Sequence, residues 1–123
     1  MANAGDKKIL CIAVCAGSVH DFALFKRNQP PVGENVRILG DSGYQGIASL
    51  HANSETPIKA TKLHPLCADE KSFNRDLAKR RIYIEHINRH LKIFRIVSSR
   101  YRNARKRFGL RISLICGIYN FQL

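Results

Sequence analysis

Two acids stand where chemistry is possible. Glu85 is the single acid in RRIYIEHINRHLKIF, residues 80–94, among arginines, a lysine and histidines. Asp41 closes the apolar run VRILGD and is followed by SGYQG. Two carboxylates from separate elements, set among cations that hold phosphates, are what Mg²⁺-assisted phosphodiester chemistry needs, because hard oxygen ligands hold metals that activate water and stabilise the leaving oxygen. Each acid also has a structural reading. At about 100° per residue, Arg81, Glu85, Arg89 and Lys92 share one helical stripe turned away from the apolar face, and Glu85 can pair with Arg81 and Arg89 for ~0.3–0.5 kcal/mol each. Asp before Ser and Gly is a common turn in which the carboxylate bonds its local backbone.

These acids must be positioned by the elements around them. KILCIAVCAG reads as a strand buried on both faces, and VRILG as a second strand that ends on Asp41. Between them, SVHDFALFKRN reads as a helix with Ser18 as N-cap and Asp21 completing an acidic capping box. SLHANSETPIKATK predicts a short helix, a turn before Pro57 and a third strand around PIKA. From Asp69 to about Val97, the apolar residues Leu77, Ile84, Ile87, Leu91 and Phe94 recur at helical spacings. LRISLICGIYNFQL then predicts a closing helix packed on the sheet. Strand, helix, strand, helix, strand and long helix imply an α/β layer architecture, in which ligand chemistry collects at strand carboxyl ends.

The chain of 123 residues is one domain's worth, with a formal net charge of +12. The excess is uneven: residues 1–61 hold six Lys/Arg against five Asp/Glu, whereas residues 62–123 hold fifteen against four. A polyanion is the partner this predicts, met by the second half. SRYRNARKRFGLR sets Arg100, Arg102, Arg105, Lys106, Arg107 and Arg111 around Tyr101 and Phe108, which suits phosphate contact with stacking. Solvated charged faces usually mix signs, and no acid follows Glu85. Four cysteines without CxxC spacing indicate buried free thiols in a reducing compartment, not a disulfide framework or zinc site. ILCIAVCA has the outline of a short signal peptide, but the buried-strand reading is preferred. No apolar run reaches the ~18 residues that span a bilayer, so a soluble, cytoplasmic protein without a membrane partner is expected.

LGDSGYQGI, TPIKATKLHPLCADEKSFNR and the stretch from Arg80 to Asn120 together resemble the carboxyl-terminal half of a bacterial insertion-sequence transposase of the DDE class. The resemblance runs from about Lys7 to Leu123. Its most specific part is Arg81, three residues, Glu85, six residues, Lys92, which matches that family's R(3)E(6)K signature; where the fuller signature has Tyr ahead of the Arg, this chain has Ala78. The resemblance implies a single partial catalytic domain, residues 1–123. Its fold would be partial ribonuclease-H-like α/β, with a mixed sheet, flanking helices and the first strand missing. It also implies that Asp41 and Glu85 are the second and third acids of the triad, ligating Mg²⁺ or Mn²⁺ across one solvent-accessible cleft. Arg81, Arg89 and Lys92 would join Arg100, Arg102, Arg105, Lys106 and Arg107 in holding DNA, both transposon ends and target.

The family's first Asp lies upstream of the strand beginning at Lys8, and nothing in MANAGD resembles its setting. The expectation is therefore a fragment, inactive alone, that partners an upstream transposase fragment or a second copy of itself. Two rival readings remain. One is a non-catalytic basic DNA-binding remnant; the other is a basic structural nucleic-acid-binding protein in which both acids are structural.

Overall fold

The computed structural model describes residues 1–15, 17–99 and 105–123, with the backbone alone at Arg105. They form two compact units, Cys15–Arg81 and the pair of segments Met1–Val14 and Ile82–Leu123.

In the first unit the helix α1, Asp21–Asn28, opens at His20, whose Nδ1 accepts the Phe22 N–H at 3.3 Å. The imidazole therefore does the capping expected of Ser18. Asp21 sits in the first turn, where its charge favours the helix dipole, and Lys26 and Arg27 complement the other end. Strand β1, Ile38–Leu39, pairs in parallel with β2, Ser54–Glu55, in the register Ile38 to Ser54 and Leu39 to Glu55. Among the described residues this two-stranded parallel sheet replaces the expected mixed one. Side chains brace it from outside: His51 Nε2 meets the Val36 carbonyl at 2.6 Å, and Gln45 Nε2 donates to the Pro57 carbonyl at 2.6 Å. Ile38, Ile47 and Leu77 form the unit's buried apolar set. Burying such side chains contributes about 1.5–3 kcal/mol each.

The third strand falls earlier than PIKA. Asn74 explains why: its carboxamide accepts the Ile58 N–H at 2.8 Å and donates to the Ile58 carbonyl at 2.9 Å. A helix side chain thus occupies the groups that a neighbouring strand would use.

The same device settles the first expected strand, KILCIAVCAG, in the second unit. Asn120 accepts the Ile9 N–H at 2.8 Å and donates to its carbonyl at 2.9 Å, and Ile9 makes only an isolated antiparallel bridge with Ala2. Leu10 and Val14 are exposed, so the run is not buried on both faces.

Helix α2, Ala68–Leu91, begins at Cys67, with a thiol in the role usually taken by Ser or Thr. The Cys67 N–H donates to Glu70 Oε2 at 2.9 Å and the Glu70 N–H to Cys67 Sγ at 3.5 Å, a reciprocal capping box. The backbone N–H of Cys67 holds the Glu70 carboxyl below its usual range. The helix ends at Leu91, short of Val97, because Phe94 is extended at φ −76° and ψ 117°. A short helix, α3, Arg95–Ser98, restarts beyond it.

Helix α4, Phe108–Phe121, buries Ile115, Cys116 and Tyr119, and the Tyr119 ring meets His90 edge-on with centroids 6.0 Å apart. Ile87, also buried, completes the core of this unit. Of the cysteines only Cys116 is buried, and burial pushes its thiol pKa up; Cys11 is half-buried, and Cys15 and Cys67 are exposed, which corrects the expectation of buried thiols. Among the described residues no helix is long and apolar enough to cross a membrane.

Candidate active site

Asp41 follows the last residue pair of β1 directly through Gly40. A β-carbon on Gly40 would stand 3.0 Å from Tyr44 Cβ and 3.1 Å from Thr56 Cγ2, so the backbone entering Asp41 passes close to both side chains and a larger residue would have to push them back. Asp41 caps the 3₁₀ turn Ser42–Tyr44, with Oδ1 accepting the Gly43 N–H at 2.8 Å. The local backbone bond expected of an Asp before Ser and Gly is therefore formed. It leaves Oδ2 directed elsewhere. Arg81 Nη2 lies 3.9 Å from that oxygen, with the Asp41 side chain 47% exposed and that of Arg81 23% exposed. At that distance and exposure the ion pair contributes little, about 0.2–1 kcal/mol.

Glu85 lies one turn beyond Arg81 along α2, in the other unit, and is exposed. Among the described residues it pairs with neither Arg81 nor Arg89. The i,i±4 pairs open on sequence grounds are therefore not formed, and Arg81 faces Asp41 instead. Arg89 and Lys92 are exposed. Lys106 and Arg107 are exposed on the 3₁₀ turn Arg105–Arg107, immediately before α4. Arg100 and Arg102 lie outside the described residues. No group of three or more His, Cys, Asp or Glu side chains placed to hold a metal occurs among the described residues.

Beside Asp41, the Tyr44 ring meets Phe22 and Phe25 of α1 edge-on, each at 6.0 Å, and Phe22 and Phe25 stack at 6.5 Å. Edge-on pairs of this kind contribute about 0.5–1.5 kcal/mol beyond area burial. Burial, then the charges of Asp21 and Asp41, push the Tyr44 hydroxyl pKa up. Tyr44 is not among the residues that sequence reasoning singles out, although it stands three residues after Asp41 in a turn sequence.

Sequence reading also misses Glu55. On β2 it bonds the Arg80 guanidinium and lies 3.2 Å from that of Arg37, tying the sheet to α2. The Arg80 hydrogen bond, aided by both cations, holds the Glu55 carboxyl below its usual range. A carboxyl depressed on folding stabilises the native state above its ordinary pKa, and that contribution is lost as pH falls through the folded value. Glu55→Gln is expected to lower the melting temperature at pH 7 and to flatten the acid limb, so that the two proteins converge at low pH. Melting curves from pH 2 to pH 7 measure this.

The profile of the DDE superfamily endonuclease family matches residues 2–120. The chain belongs to that family. It is 48% identical over 116 residues to the probable transposase for insertion sequence element IS702 of Microchaete diplosiphon, a match covering 94% of this chain and 42% of that protein. The chain thus spans less than half the length of this curated relative, and the match bears out the resemblance to insertion-sequence transposases. No solved structure matches it significantly.

Proposed function

We propose that the chain supplies the second and third acids, Asp41 and Glu85, of a transposase centre that cuts and joins transposon-end DNA, within a ribonuclease-H-like fold. The observation that carries this is Asp41 at the end of β1. One oxygen is fixed by the Gly43 N–H at 2.8 Å, while the other lies 3.9 Å from the Arg81 guanidinium.

The donor chemistry fits a hard divalent cation. Asp41 Oδ2 makes no polar contact closer than Arg81 at 3.9 Å among the described residues and Glu85 is exposed, and carboxylate oxygens are the ligands that Mg²⁺ and Mn²⁺ take. Such ions, when bound, activate water and stabilise the leaving oxygen of a phosphodiester. Arg81 would screen Asp41 and contact phosphate, while Arg89 and Lys92, with the basic run from Arg100 to Arg107, would grip the DNA. An upstream transposase segment carrying the first acid, or a second copy of the chain, would complete the assembly.

Mn²⁺ titration followed by electron paramagnetic resonance tests the reading. Asp41→Asn and Glu85→Gln are each expected to weaken binding about tenfold or more. Equal affinities in all three proteins would leave the non-catalytic DNA-binding remnant as the better description.

A further inference from the structure

Asp41 is aimed by the residues that follow it. Its Oδ1 accepts the Gly43 N–H at 2.8 Å and its backbone carbonyl accepts the Tyr44 N–H at 3.1 Å, so the direction of Oδ2 depends on where residues 43 and 44 sit. Tyr44 is the anchor of that turn. Its ring meets Phe22 and Phe25 edge-on, at interplanar angles of 62° and 86°. Phe22 is in turn covered by Lys26, whose Nζ lies 4.4 Å from the ring centroid. On the other side, the stem of Tyr44 closes against Gly40, where a β-carbon would find it at 3.0 Å. The residue before Asp41 and the residue ending its turn therefore lie close together, and the α1 rings Phe22 and Phe25 pack against the second of them.

We propose that Tyr44 is a positioning residue for Asp41: its ring, packed edge-on against the stacked pair Phe22 and Phe25, fixes the turn that presents Asp41 Oδ2. The role rests on the reading of Asp41 as a metal ligand only for its consequence, not for its geometry. A tyrosine hydroxyl is ordinarily protonated at neutral pH, so the phenol adds no charge beside the carboxylate. The ring, rather than the hydroxyl, carries the function. Outer residues that orient a metal-binding side chain typically cost 10- to 100-fold in affinity when removed, roughly the scale expected here.

Two readouts on the full chain test this. In ¹⁵N-labelled protein, the Gly43 amide proton reports its bond to the Asp41 carboxylate by a downfield shift, measured against Asp41→Ala, which lacks that bond. Wild type and Tyr44→Phe are expected to show the full shift, whereas Tyr44→Leu and Tyr44→Ala lose more than half of it while amides of the second unit stay in place. Mn²⁺ affinity should follow the same order, unchanged in Tyr44→Phe and about tenfold weaker in Tyr44→Leu. A full Gly43 shift in Tyr44→Leu would overturn the proposal, and so would a loss in Tyr44→Phe as large as in Tyr44→Leu. If Asp41→Asn leaves Mn²⁺ binding untouched, the metal reading fails, and the Gly43 amide still decides the role of Tyr44.

Discussion

Purified and supplied with Mg²⁺ or Mn²⁺, the 123-residue chain is expected to leave a supercoiled plasmid uncut. Two-metal phosphoryl transfer needs both ions held in register about the scissile phosphate, and on the proposed reading Asp41 with Glu85 would supply only two carboxylates to them. Mg²⁺ demands near-octahedral geometry and keeps much of its water, so an under-ligated site both binds weakly and misplaces the nucleophile. Loss of one preorganised electrostatic group commonly costs about 100- to 1,000-fold in rate, and a missing metal ligand belongs at the upper end of that scale. The assay is metal-dependent nicking, run beside Asp41→Ala and Glu85→Ala as contamination controls. Robust cleavage that both substitutions abolish would contradict the expectation. It would mean that a third ligand acts within the chain, with Asp21, whose charge already reaches Tyr44, the first to test.

The second large effect concerns DNA affinity and its dependence on salt. The 3₁₀ turn Arg105–Arg107 runs straight into α4, whose first turn contains no acid and whose N-cap, Arg107, makes no side-chain capping bond. Basic residues at a helix N-terminus oppose its dipole, so the arrangement costs stability unless an anion approaches. Phosphates are the anions expected. Replacing Arg100, Arg102, Arg105, Lys106 and Arg107 with Ala should flatten the slope of log K against log salt by roughly 0.9 for each phosphate that is no longer neutralised. Selectivity among sequences should change little, since groups that hold phosphates position a protein without reading bases. Fluorescence anisotropy across a salt series gives both quantities, and an unchanged slope would assign DNA binding, if any, to other residues.

Sequence reading recovers what depends on local pattern. The helical spacing of Leu77 and Ile87 places α2, and both residues are buried. The apolar run ending at Gly40 places β1 and puts Asp41 just beyond its end. What depends on a partner distant in sequence is not legible. Ile9 and Ile58 both sit in strand-like runs, yet a strand exists only where a neighbour supplies hydrogen bonds. Here the carboxamides of Asn120 and Asn74 supply them. Cys67 escapes notice because capping boxes are read from Ser or Thr, although the Glu70 three residues on is the signal. The aromatic packing at Tyr44 has a partial signal, since Phe22 and Phe25 are one turn apart on a predicted helix, but nothing in the spacing says that Tyr44 packs on them. Likewise, charge spacing along α2 suggests that Arg81 pairs with Glu85, whereas Arg81 approaches Asp41, forty residues earlier in the chain.

The decisive measurement is a double-mutant cycle on Mn²⁺ affinity with wild type, Asp41→Asn, Glu85→Gln and the double variant. If both carboxylates serve one metal centre, each single substitution weakens binding about tenfold or more and the effect of the double variant departs from the product of the two, because residues acting on a shared partner are not additive. Full additivity, or affinities that neither substitution changes, would contradict a common site for Asp41 and Glu85.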